Sequence, residues 1–94
     1  MNYLAIDTST NICSASLFYN GKYTTLKKKG AKNHSEYLPI FVEKLLENNV
    51  NLDFIALNIG PGSFTGLKIG SSFTKGLAKA LSIPIIPVNN FEAL

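Results

Sequence analysis

Few side chains in the 94-residue sequence are equipped for chemistry, and they stand far apart. Asp7 closes the apolar run YLAID and opens into TST. A carboxylate there could hold a metal or a nucleotide, and it is equally a normal strand-end turn former. His34 stands next to a helix start with no second histidine and no cysteine to join it in a metal site, so a surface or helix-start contact is the favoured role. Cys13 is the single cysteine; inside an apolar strand-like run it reads as a buried, inert thiol. No serine or cysteine has an evident base partner. The inventory holds no complete active site.

The densest chemistry-bearing stretch is NIGPGSFTGLKIG, residues 58–70. Glycine supplies backbone shapes that other residues resist, so Gly60, Gly62 and Gly66 imply a constrained local geometry. Two phosphate templates fail on it. The P-loop spacing needs its second glycine one position beyond Gly66, and the dinucleotide fingerprint has Thr65 where its third glycine belongs. The location still suits an anion, because the loop leaves a strand and starts a helix whose first amides point outward. Asp7, Gly62, Ser63 and Thr65 form that candidate nucleotide or anion set. The simpler alternative, and the favoured one, has Ser63 capping the helix while Pro61 and Gly62 shape the turn.

The elements that must position these residues are legible from periodicity. Residues 3–8 and 12–19 read as strands, Asn20-Gly21 as a hairpin turn and 22–29 as a third strand. Asn33 with Glu36 resembles a capping box, and apolar positions from Tyr37 to Leu46 recur at helical spacing to about Glu47. Pro39 falls early enough to be tolerated near the first turn. Residues 53–59 form a fourth strand, apolar enough for the middle of a sheet. A second helix spans Phe64 to Leu81, and Pro84 and Pro87 bracket a short fifth strand in 82–89. Asn89 or Asn90 would cap a third helix beginning at FEAL. The order is βββαβαβ(α): an α/β chain with a mixed five-stranded sheet and helices packed on it. Residues 1–94 are expected to be the N-terminal lobe of a longer protein whose C-terminal lobe lies outside this chain.

Within the second helix, Gly66, Gly70, Thr74 and Ala78 form a row poor in side chains. Interior glycine costs a helix about 1 kcal/mol relative to alanine, so close approach of a neighbour is the plausible return. That neighbour would be the sheet or another helix, including one from another chain. The first helix supports the second option, since Tyr37, Ile40, Phe41, Val42 and Leu45 cover more than one narrow stripe.

Composition bounds the rest. A hydrophobic share of 46% with 16% charged residues is globular. No apolar run approaches a membrane span and the first residues lack a basic leader, which makes the cytoplasm the expected location. The net charge of +3 is carried by lysine without any arginine. Lys22, Lys27, Lys28, Lys29 and Lys32 cluster; protection of an edge strand is the favoured reading, and attraction of phosphate the other.

GPGSFTGLKIG, with IDTST near the start and NHSEYLP before the first helix, resembles the TsaB (YeaZ) family of tRNA threonylcarbamoyladenosine biosynthesis proteins. The resemblance covers essentially the whole chain and implies an actin-like lobe of the ASKHA type, related to ribonuclease H-like folds. It implies a non-catalytic partner subunit that supports a TsaD-type transferase in forming N6-threonylcarbamoyladenosine on tRNA. The TsaD relatives carry two metal-binding histidines that align with Asn90 and Leu94, and leucine offers no donor atom, so neither catalysis nor a bound metal is expected. Partners implied are the TsaD-type subunit, a TsaE-type ATPase and a second copy of the chain, with tRNA met indirectly. No cofactor is expected beyond an ATP or ADP contact in the full complex. The docking residues implied are Tyr37, Phe41 and Leu45 of the first helix and Gly66, Leu67, Gly70, Ser71 and Thr74 of the second. The rival readings are a nucleotide-binding kinase or ATPase of the same superfamily, a glycoprotease, and a direct tRNA binder using the clustered lysines.

Overall fold

A computed structural model describes residues 1–29, 34–62 and 64–89, with the backbone alone at 34 and 35. The chain opens as a meander of β1 (Tyr3–Asp7), β2 (Ile12–Tyr19) and β3 (Lys22–Lys29). Asn20 and Gly21 reverse it with φ of 52° and 78°, the left-handed pair that a two-residue hairpin requires. Helix α1 (His34–Leu45) leads to β4 (Phe54–Asn58), and helix α2 (Phe64–Leu81) leads to β5 (Ile85–Val88). The sheet order is β3-β2-β1-β4-β5. β1 pairs antiparallel with β2, while β4 pairs parallel with both β1 and β5. The mixed α/β sheet expected from the sequence is therefore the one that forms.

The differences lie at element ends. α1 stops at Leu45, and residues 46–49 turn away, with Asn49 at φ 56°. Pro39 is the sixth residue of α1 rather than a first-turn residue, and the helix continues past it on an exposed side. β5 is shorter than its apolar run and contains Pro87, which sits opposite Leu57; an outer strand tolerates the missing N–H. Asn33, Ser63, Asn90 and the start of a third helix lie outside the described residues.

Alternation along the strands decides which face is covered. Leu4 and Ile6 of β1, Cys13, Ala15 and Leu17 of β2, and Ile55 and Leu57 of β4 meet Leu38, Val42 and Leu45 of α1 and Ala78 of α2. Burying a side chain of leucine or isoleucine size contributes about 1.5–3 kcal/mol, so this layer is the main source of stability. Both helices thus lie on one face. On the other, Tyr3 stacks between Phe18 and Phe54 with ring centroids 5.4 and 4.9 Å apart, close to the spacing of neighbouring strands. Tyr23 meets Phe18 edge-on. Among the described residues no helix covers this second face.

Candidate docking site

The loops at the carboxyl ends of β1 and β4 are clasped together by short polar side chains. The N–H and hydroxyl of Ser9 both donate to Asp7 Oδ1, at 2.9 and 2.6 Å. Asn58 Nδ2 donates to Ser9 Oγ at 3.2 Å, and Asn58 Oδ1 accepts from the Gly60 N–H at 3.1 Å. Gly62 presses on Ser9 so closely that a Cβ there would run into the Ser9 carbonyl oxygen and lie 2.6 Å from its Cβ. Two members of the anion set, Asp7 and Gly62, are therefore brought together, with buried Ser9 filling the space between them. Thr65 is exposed and makes no described bond to either, and Ser63 lies outside the described residues. The Asp7 carboxylate holds a turn, the structural alternative read from the sequence.

The small-residue row of α2 faces inward. Gly66, Gly70, Thr74 and Ala78 are its buried residues. The Thr8 hydroxyl donates to the Gly66 carbonyl at 2.5 Å. A Cβ on Gly70 would collide with Thr8 Oγ1 and lie 3.5 Å from Thr8 Cβ. The close neighbour that the glycines admit is the end of β1 in the same chain. Gly66, Gly70 and Thr74 are thus corrected from partner-contacting residues to internal ones. Leu45 is corrected as well: it belongs to the core cluster. Gly76 has no described atom within 4 Å of where its Cβ would be, so close packing does not account for it.

What remains outside is a different surface of the same helices. Phe64, at the first position of α2, is 81% exposed, and Ile59 before it is 49% exposed. With Leu57, Asn58, Leu67, Lys68 and Ser71 they line an open groove of about 470 Å³. Leu67 and Ser71, expected at a docking face, are in it. On α1, Tyr37 and Phe41 are half-buried with rings 6.0 Å apart, Lys28 reaches over Tyr37 at 5.9 Å, and Ile40 is 55% exposed. α1 and α2 contact each other, so these residues share one helical layer.

Sequence reasoning missed Phe64 and Ile59. The signal was present: Phe64, Leu67, Lys68 and Ser71 recur at the three- and four-residue spacing of a helix stripe, about a quarter-turn around the helix from the glycine row. An exposed aromatic at a helix start, flanked by apolar neighbours, marks an interaction site more often than a lone surface leucine does.

Comparison with known proteins places these features in context. The protein-family profile described as TsaD, tRNA N6-adenosine threonylcarbamoyltransferase, matches residues 23–94. The Haemophilus influenzae tRNA threonylcarbamoyladenosine biosynthesis protein TsaB is 34% identical over 98 aligned residues, covering 100% of this chain and 42% of that protein. A tRNA N6-adenosine threonylcarbamoyltransferase of Chlorobium phaeobacteroides is 31% identical, covering 99% of this chain and 32% of that protein. Among solved structures, YeaZ from Pseudomonas aeruginosa superposes with a TM-score of 0.87 at 36% identity, covering 95% of this chain and 44% of that one. The chain spans less than half the length of these relatives.

Proposed function

This chain belongs to the TsaB (YeaZ) family, and we propose that it acts as the N-terminal lobe of a partner subunit that binds and supports a TsaD-type transferase in modifying tRNA. The observation that carries the docking half of this reading is the apolar groove around Phe64, whose ring is left in solvent at the start of α2. Exposed aromatic anchors of this kind dominate binding energy at protein interfaces. The non-catalytic half rests on residue identity: Asn90 and Leu94 stand where the resemblance places the two metal-binding histidines of the catalytic relatives. The use of Asp7 in a turn with Ser9 weighs against the nucleotide-enzyme reading. In the full assembly a TsaE-type ATPase and its nucleotide would join this pair, in the cytoplasm. No helix among the described residues is long and apolar enough to cross a membrane.

A second copy of the chain is a further proposed partner. The exposed charges on α1 are Glu36, Glu43 and Lys44, a net acidic set, whereas α2 carries Lys68, Lys75 and Lys79 and no acid. Two such helix pairs related by a two-fold axis would set acid against base twice, as an isologous interface does.

The test is co-purification of the complete protein with a TsaD-type subunit. Phe64→Asp should abolish capture while leaving the thermal unfolding midpoint unchanged, because the side chain is in solvent. Undiminished capture by the Phe64→Asp variant would refute this docking face. Failure of the unmutated pair to form modified tRNA in a reconstituted system would refute the wider reading.

A further inference from the structure

β3 is the outer strand of the sheet, on the side away from β4 and β5. It carries Lys22, Lys27, Lys28 and Lys29 and no acidic residue. The register shows what faces the last three: Lys27 is opposite Ser14, Lys28 opposite Cys13 and Lys29 opposite Ile12. Each cross-strand partner is neutral, and no ion pair among the described residues draws these lysines to a carboxylate. One lysine is enough to discourage edge-to-edge pairing of a strand. Three in succession add mutual repulsion without adding protection.

Strand alternation sends Lys27 and Lys29 to the helix-free face, about 7 Å apart, while Lys28 turns toward the helical layer and lies over Tyr37. α1 covers the β2–β3 side of the sheet and α2 the β4–β5 side. The register puts Lys27, Ser14, Asp7 and the groove residue Asn58 in one row across the sheet, so the lysine edge and the Phe64 groove share one end of the sheet, three strands apart.

We propose that the β3 edge contacts the sugar–phosphate backbone of an RNA strand, with Lys27 and Lys29 as the neutralising charges. An acidic protein surface is the less favoured occupant, because β3 is exposed along Lys27–Lys29 and offers no buried apolar anchor there. Lysine serves as a point charge toward phosphate, and the chain has no arginine for bidentate base reading. The contact positions RNA without reading its sequence. This rests on the tRNA-modification reading only for the presence of RNA.

The test measures tRNA binding to the complete protein, alone and bound to a TsaD-type subunit, across a salt series. Lys27→Gln with Lys29→Gln, the β3 variant, is compared with Lys22→Gln with Lys44→Gln, two exposed lysines away from that end of the strand. The first pair should weaken binding about tenfold at low salt and reduce the slope of log affinity against log salt by about 1.4, at about 0.7 for each phosphate no longer neutralised. The second pair should leave the slope unchanged. Equal slopes for unmutated protein and the β3 variant overturn the proposal. Loss of subunit capture by the β3 variant, with RNA binding intact, also overturns it and assigns the edge to a protein. Because RNA binding is read directly, the outcome stands whether or not the Phe64 groove docks the transferase.

Discussion

Cys13 shows how completely the surroundings of one side chain set its chemistry. It is fully buried in β2, and burial pushes its thiol up to about 11, with the negative charge of Asp7 adding to the rise. A thiol held protonated is a poor nucleophile. Native protein at pH 8 should therefore resist alkylation, whereas protein in denaturant should react to completion; rapid native labelling would contradict the burial. The linkage has a definite sign. Because the folded state keeps the proton that the unfolded state loses above its ordinary value of 9.0, the stabilising effect is complete below pH 9. It is lost as the pH rises toward 11. The inert character of Cys13 was legible from a single cysteine in an apolar run. The role of Asp7 was not settled by sequence, because the choice between ligand and turn former depends on where Ser9 and Gly62 meet it in space.

At the scale of elements, α2 is the instructive case. Its limits, Phe64 and Leu81, follow from periodicity and from the glycine loop before it. Its orientation does not. A row of Gly66, Gly70, Thr74 and Ala78 fits tightly against any neighbour, so the sequence left open whether the sheet or a partner sits there. Thr8 decides it, by bonding Gly66 and abutting Gly70, and those residues are separated by more than half the chain. Gly76 belongs to neither the buried row nor the groove, and open space surrounds its missing side chain. Gly76→Ala should accordingly stabilise the protein by about 0.5–1 kcal/mol in denaturant titration, the ordinary difference in helix propensity. A loss of stability would mean that something unseen packs against that position.

Across the described residues of the molecule, charge is unevenly distributed. Acid is concentrated on and after α1, at Glu36, Glu43 and Glu47 with Lys44 among them, and base on α2 and β3. An isologous pairing through the helical layer would draw on this distribution, and exposed charge pairs are screened by salt. The proposed self-association should weaken several-fold between about 50 and 500 mM salt, and more so after Lys75→Glu with Lys79→Glu, as read by sedimentation equilibrium. Association indifferent to both changes would exclude electrostatic pairing as its source. Strand order and the choice of helix face were harder to read than the element order. Both depend on β4 inserting beside β1, a pairing that nothing local to either strand specifies.

The abutment of Gly70 on Thr8 ties two distant positions into one steric unit. Because the wall is a hydroxyl rather than backbone, room for a methyl at 70 appears only when that oxygen is removed at 8. Gly70→Ala alone forces the Thr8 hydroxyl off the Gly66 carbonyl, whereas Thr8→Ala opens the space that the new methyl would fill. Across chains of this fold the two sites should change together, large at one only where the other is small.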